Sequence, residues 1–250
     1  YDYINLGNHE INLAWMYPDI LNLHGERGSI QAFNKIADNL GVKLKTIRIN
    51  NYKEEIDFKN IDIMIFLPGE LKVLPVIKES LSNKIEEIYQ YILANKYMIS
   101  IGTTGALFGK KIIRQNGEEL EGLGLLDFNA QERKTVIGDD LYFYVNETKQ
   151  QIMGSQIQMI DIQLQQEDPL GNIIYGYGNN GSKVEGVRNK NLIVTNCLGP
   201  VFVKNPWWTE NILKNIILNK YGNIQKKEEY QLENLSFETT KRFIFEKTSI

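Results

Sequence analysis

The sequence predicts an α/β protein, a mainly parallel sheet with helices on both faces. Three observations carry that expectation. Apolar runs and helix-period stripes alternate through the first 110 residues. One run, "IDIMIFL" at 61–67, is almost continuously apolar, as in a strand covered on both faces. A third stretch, "YMISIGTTGALFGKK" at 97–111, runs apolar from Tyr97 to Ile101 and then breaks at Gly-Thr-Thr-Gly, a sharp strand-to-helix turn of the kind that holds the nucleophile in many α/β enzymes.

In chain order, Glu10 to Tyr17 reads as a strand and Gly25 to Gly28 as a Gly-rich turn. Phe33, Ile36, Ala37 and Leu40 share one helical face that ends at Gly41. Val42 to Ile49 and residues 61–67 are the next strands, followed by a helical stripe of Ile77, Leu81, Ile85, Ile88 and Ile92 that leads into the strand Tyr97–Ile101. The second half carries strand signals at 141–145, 159–164, 173–176 and 192–196. The turn-rich "GYGNNGSKVEG", 176–186, joins two of them. Thr209 to Leu218 is helical again. Residues 1–222 are expected to form one domain, and 223–250, charged and carrying Leu232, Leu235 and Phe243, a helical extension.

With 250 residues, 42% of them hydrophobic, the chain can bury a substantial core. A net charge of −3 and no basic run argue against nucleic acid as a partner. No stretch reaches membrane-spanning length, and the N-terminus lacks a basic-then-apolar leader, although Tyr1 in place of methionine suggests a trimmed start. One cysteine, Cys197, excludes an internal disulfide framework and fits a reducing cytoplasm. With only two histidines, His9 and His24, no metal site is expected.

Three stretches, "ILNLHGERGSI", "NGEELEGLGLLDF" at 116–128 and "GYGNNGSKVEGVRNKNLIVTNCLGPVFVKNP" at 176–206, together resemble the class I glutamine amidotransferases of the CobB/CobQ type, most closely the GatD branch. The resemblance runs in consistent order from about Tyr17 to Pro206. It implies a flavodoxin-like α/β fold and no cofactor. In that family a cysteine on the elbow attacks the glutamine amide, a histidine shuttles the proton, and backbone N–H groups hold the oxyanion. GatD itself supplies ammonia to a Mur-ligase-like synthetase during peptidoglycan amidation.

Set in that frame, the chemistry is missing. The family elbow "ICGGYQLLG" reads "IGTTGALFG" here, so the cysteine position is Gly102. The family "TYLHGPLLPKNP" reads "TNCLGPVFVKNP", so Leu198 stands for the histidine. The "GGG" oxyanion loop corresponds to Leu67-Pro68-Gly69, where proline removes a backbone donor. "GFENH" corresponds to Gly154–Gln158, and the glutamine-binding arginine falls near Val136. The resemblance therefore implies a catalytically inactive GatD-like protein that scaffolds or regulates a partner such as a Mur-ligase-like synthetase. The alternative is a working amidotransferase or other hydrolase with rearranged residues.

Thr104 and Cys197 are the outside candidates for a nucleophile. Neither has an evident histidine partner. The expected roles are hydroxyls capping the following helix for the threonines and a buried structural thiol for Cys197. The Gly25 to Gly28 turn precedes a helix and could present N–H groups to an anion, but it matches no phosphate-loop fingerprint and reads as a plain turn. Of Trp207 and Trp208, one is expected in the core and the other as an interface anchor.

Overall fold

In the computed structural model, which describes residues 9–50, 53–222 and 230–248, the central apolar runs become the centre of a sheet. The elements in order are β1 (Glu10–Met16), α1 (Arg27–Asn39), β2 (Lys43–Ile49), β3 (Ile63–Phe66), α2 (Leu74–Ser82), α3 (Ile85–Leu93) and β4 (Tyr97–Ile101). Then follow β5 (Lys111–Ile113), β6 (Glu119–Glu121), β7 (Phe128–Val145), β8 (Gln151–Leu164), β9 (Gly171–Tyr175), β10 (Val184–Glu185), β11 (Val187–Asn189) and β12 (Leu192–Thr195). The helices α4 (Val201–Lys204), α5 (Pro206–Tyr221) and α6 (Gln231–Thr248) close the described chain.

The main sheet has the order β11-β12-β4-β3-β1-β2. Its strands are parallel, except that β11 lies antiparallel to β12 at the edge. Every residue of β3, β4 and β12 is buried, as unbroken apolar runs require in a sheet covered on both faces.

Two helical expectations change. The stripe from Ile77 to Ile92 is divided between α2 and α3, because Asn83 and Lys84 turn the chain and the Lys84 ammonium binds the Ser80 carbonyl at 3.0 Å. After β4 the chain does not enter an α-helix; residues Gly102–Phe108 form a 3-10 segment.

The second half builds a separate sheet, β10-β9-β7-β5-β6, with β8 on the other edge of β7. The segments predicted at 141–145 and 159–164 are the ends of far longer strands, the 18-residue β7 and the 14-residue β8. The polar middle of β7, "QERKTVIGDD", hides a strand from any burial pattern, because it is largely solvated and is held by its ladder to β8. That ladder is interrupted between Glu132 and Ile137. Part of the expected C-terminal extension, 223–229 and 249–250, lies outside the described residues. Within α6, Ile244 is buried against Tyr142 and Met153, whereas Leu232, Leu235 and Phe243 are exposed. Trp208 is core. Trp207 does anchor, but within the chain, with its indole N–H on the Gln151 carbonyl at 2.7 Å and its ring edge-on to Phe237.

Candidate functional site

In an open parallel sheet, the crevice forms beyond the C-terminal ends of the strands. Here the segments leaving β1, β3, β4 and β12 are stitched together at that end. The Leu23 N–H binds the Pro68 carbonyl at 3.0 Å, the Thr104 hydroxyl donates to the Leu67 carbonyl at 2.8 Å, and the Gly199 N–H binds the Glu26 carboxylate at 2.6 Å. The turn that carries His24 thus borders the crevice, although His24 is remote in sequence from the elbow.

Gly102 leaves β4 with φ +74°, the left-handed region that glycine enters without steric cost. A Cβ placed on it would lie 3.0 Å from both Cβ and Cγ of Pro68 and 3.6 Å from Cδ2 of Leu198. Three positions far apart in sequence, 68, 102 and 198, therefore meet at one point. Two of them present hydrocarbon and the third has no side chain. Thr104 is fully buried and its hydroxyl ties the elbow to the 67–69 loop, so it does not cap the segment that follows as expected.

The segment after β12 is held from several sides. Leu198 exchanges both backbone hydrogen bonds with Ser155 of β8, at 2.7 and 3.0 Å. Gly154 permits this approach: a Cβ there would run into the Leu198 carbonyl and the Cys197 sulfur. Asn205 accepts from the Met153 N–H and donates to its carbonyl, both at 2.8 Å, in the manner of a strand partner. Glu26 is buried, and its carboxylate receives the N–H groups of Gly199 and Val201 and the Ser29 hydroxyl. Burial raises its pKa, and these bonds partly oppose the rise.

Within "GYGNNGSKVEG" residues 180–183 are exposed, whereas the side chains of Asn179 and Glu185 are buried. The Asn179 amide clamps both backbone groups of Gly186, at 2.8 and 2.9 Å. Glu185 accepts the Thr195 hydroxyl at 2.6 Å and the Asn196 N–H at 3.3 Å on Oε2, while its Oε1 has no partner among the described residues. Burial lifts its pKa to about 7. Cys197 is fully buried beside it, and burial first, then the charges of Glu185 and Glu26, push its thiol well above the ordinary value. Such a thiol is a poor nucleophile.

Val136, where the resemblance set the substrate arginine, is an exposed apolar residue in the β7 interruption. The nearest arginine in sequence, Arg133, is tied inside the protein. Its Nη1 donates to Asp161 at 2.8 Å and to the Tyr177 hydroxyl at 2.5 Å, and its guanidinium stacks over the Tyr177 ring. Gln158, also buried, continues this network to the Gly178 carbonyl. Sequence reading did not single out Arg133, Asp161 or Glu26; the burial of the two acids and the pairing of Arg133 with Asp161 mark them only in the fold. Among the described residues no group of three or more His, Cys, Asp or Glu side chains gathers as a metal site would require, and no helix is long and apolar enough to cross a membrane.

This arrangement of sheet, elbow and crevice has the class I glutamine amidotransferase fold. Among solved structures, PurLQS from Thermotoga maritima superimposes with a TM-score of 0.55 at 14% identity, over 84% of this chain and 98% of that one. The glutaminase domain of Trypanosoma brucei CTPS, solved with bound acivicin, gives 0.51 at 10% identity, over 88% and 98%. In sequence the chain is similar to the lipid II isoglutaminyl synthase (glutamine-hydrolyzing) subunit GatD. It is 28% identical to that of Streptococcus pneumoniae strain ATCC BAA-255 / R6, over 86% of this chain and 83% of the relative. The subunit of Staphylococcus aureus strain N315 is 29% identical, over 88% and 90%. No protein-family model matches the chain.

Proposed function

We propose that this protein is a GatD-like subunit without glutaminase activity, one that scaffolds or regulates a Mur-ligase-like synthetase acting on a cell-wall precursor. The observation that carries the reading is the meeting of Gly102, Pro68 and Leu198. Where a glutaminase needs a thiolate, a base and oxyanion donors within hydrogen-bond reach of one carbonyl, this crevice offers hydrocarbon. Neither outside nucleophile restores the chemistry. Thr104 is committed to the Leu67 carbonyl, and Cys197 is buried with its thiol held protonated. The relatives' designation as a subunit of a synthase supports the partner. The inward-facing Asn179 and Glu185 explain why the 176–186 stretch keeps the family pattern without any chemistry to serve: it is needed to fold the crevice wall.

The test is ammonia release from glutamine by the purified protein, alone and with any synthetase that co-purifies from native cells, alongside mass spectrometry after treatment with diazo-oxo-norleucine. The expected result is no release above a buffer blank and an unchanged mass. Labelling at Cys197 or Thr104, or turnover in either sample, would establish a working enzyme with rearranged residues and overturn the reading.

A further inference from the structure

Trp15 of β1 lies beside Arg48 of β2 in the parallel register, and Arg27 opens α1. The Arg27 guanidinium carbon is 5.3 Å from the Trp15 ring centroid and that of Arg48 is 4.9 Å away, so two like charges gather on one indole. Their neutralisation is incomplete. Arg48 reaches the exposed Asp19 carboxylate at 3.3 Å, whereas Arg27 makes no ion pair among the described residues. The first turn of α1 holds no acidic residue, and the carboxylate of its N-cap residue, Glu26, is engaged by the Gly199 and Val201 N–H groups and the Ser29 hydroxyl rather than by the backbone of the helix start. No side chain among the described residues hydrogen-bonds to the backbone N–H groups at the start of this 13-residue helix, the positive end of its dipole. Trp15 is only 8% exposed, yet its Nε1–H has no acceptor among the described residues. Stacking over the indole accounts for where both guanidiniums lie, but not for a cation without an ion pair beside a helix start and an unpaired buried donor.

We propose that the ends of β1 and β2 and the start of α1 form a binding site for a small phosphate-bearing molecule, held by Arg27 and Arg48 over Trp15. Guanidinium forks match the oxygens of a phosphate, and a helix start favours the same charge. Asp19 competes for Arg48 and is displaced or reoriented when the dianion binds. A phosphate group is favoured over a carboxylate because it brings enough oxygens and charge to serve both forks at once. The assignment is independent of whether the elbow crevice is catalytic.

The test is calorimetric titration of the full chain with inorganic phosphate and with pyrophosphate, at an ionic strength held constant with chloride, followed in parallel by tryptophan emission. Saturable binding is expected. Arg27→Gln and Arg48→Gln should each weaken it about tenfold or more, Arg27→Lys less, and Arg114→Gln not at all. Trp15→Phe should abolish the emission change while the calorimetric signal persists. Circular dichroism checks that each variant is folded, and Arg27→Lys keeps the charge should the glutamine variant fail to fold. Phosphate behaving as chloride does, glutamate binding as well as phosphate, or unchanged affinity in Arg27→Gln and Arg27→Lys would each overturn the assignment. The first of these would leave a basic face drawn to acidic proteins by charge alone.

Discussion

Replacing Glu185 with glutamine should stabilise this protein at alkaline pH and leave its stability nearly unchanged in mild acid. Glu185 is fully buried, one carboxylate oxygen has no partner among the described residues, and burial raises its pKa from 4.5 to about 7. Between those values the unfolded chain releases a proton that the folded chain retains. The folded state thus binds more protons, and stability falls as pH rises through this window. Below 4.5 both states are protonated and the cost is absent; above 7 it is fully present. A shift from 4.5 to about 7 corresponds to about 3 kcal/mol. Glutamine copies the neutral acid, keeping an oxygen for the Thr195 hydroxyl and the Asn196 N–H. Urea denaturation of wild type and Glu185→Gln at pH 5 and pH 8 measures the effect. The variant should gain roughly 2–3 kcal/mol relative to wild type on going from pH 5 to pH 8, equivalent to several degrees in Tm for a chain of this length. Equal differences at the two pH values, or a variant less stable than wild type at pH 8, would show that the ionised carboxylate is satisfied and refute the reasoning.

Two further substitutions probe the crevice. Gly102→Cys with Leu198→His should not restore glutaminase activity in an ammonia-release assay. The new Cβ at 102 meets Pro68 at 3.0 Å in a left-handed backbone that costs a non-glycine residue roughly 1–2 kcal/mol, and on the proposed reading Pro68 denies the oxyanion a donor worth about a hundredfold in rate. Gly154→Ala should destabilise the fold by roughly 1–3 kcal/mol, read by chemical denaturation, because its methyl group overlaps the Leu198 carbonyl and forces β8 away from the segment it braces.

The sequence by itself determined the alternation of strands and helices, the position of the elbow and the identity of the residues standing in it. Largely apolar runs such as Tyr97–Ile101 report burial on both faces, and a glycine at the end of such a run marks the turn, so both features are local and legible. Tertiary structure alone decided what depends on contacts between distant residues. The length of β7 was hidden because its polar middle is held by β8 rather than by burial. Thr104 was expected to cap its own turn, yet its hydroxyl satisfies a carbonyl from the end of β3, a partner 37 residues away. Glu26 and Arg133 were not singled out in the sequence; the fold buries the first beneath Gly199 and pairs the second with Asp161. That Gly102, Pro68 and Leu198 share one point is likewise a fact of the folded sheet: parallel strands bring their C-terminal ends to one edge, and only there do three positions far apart in sequence meet.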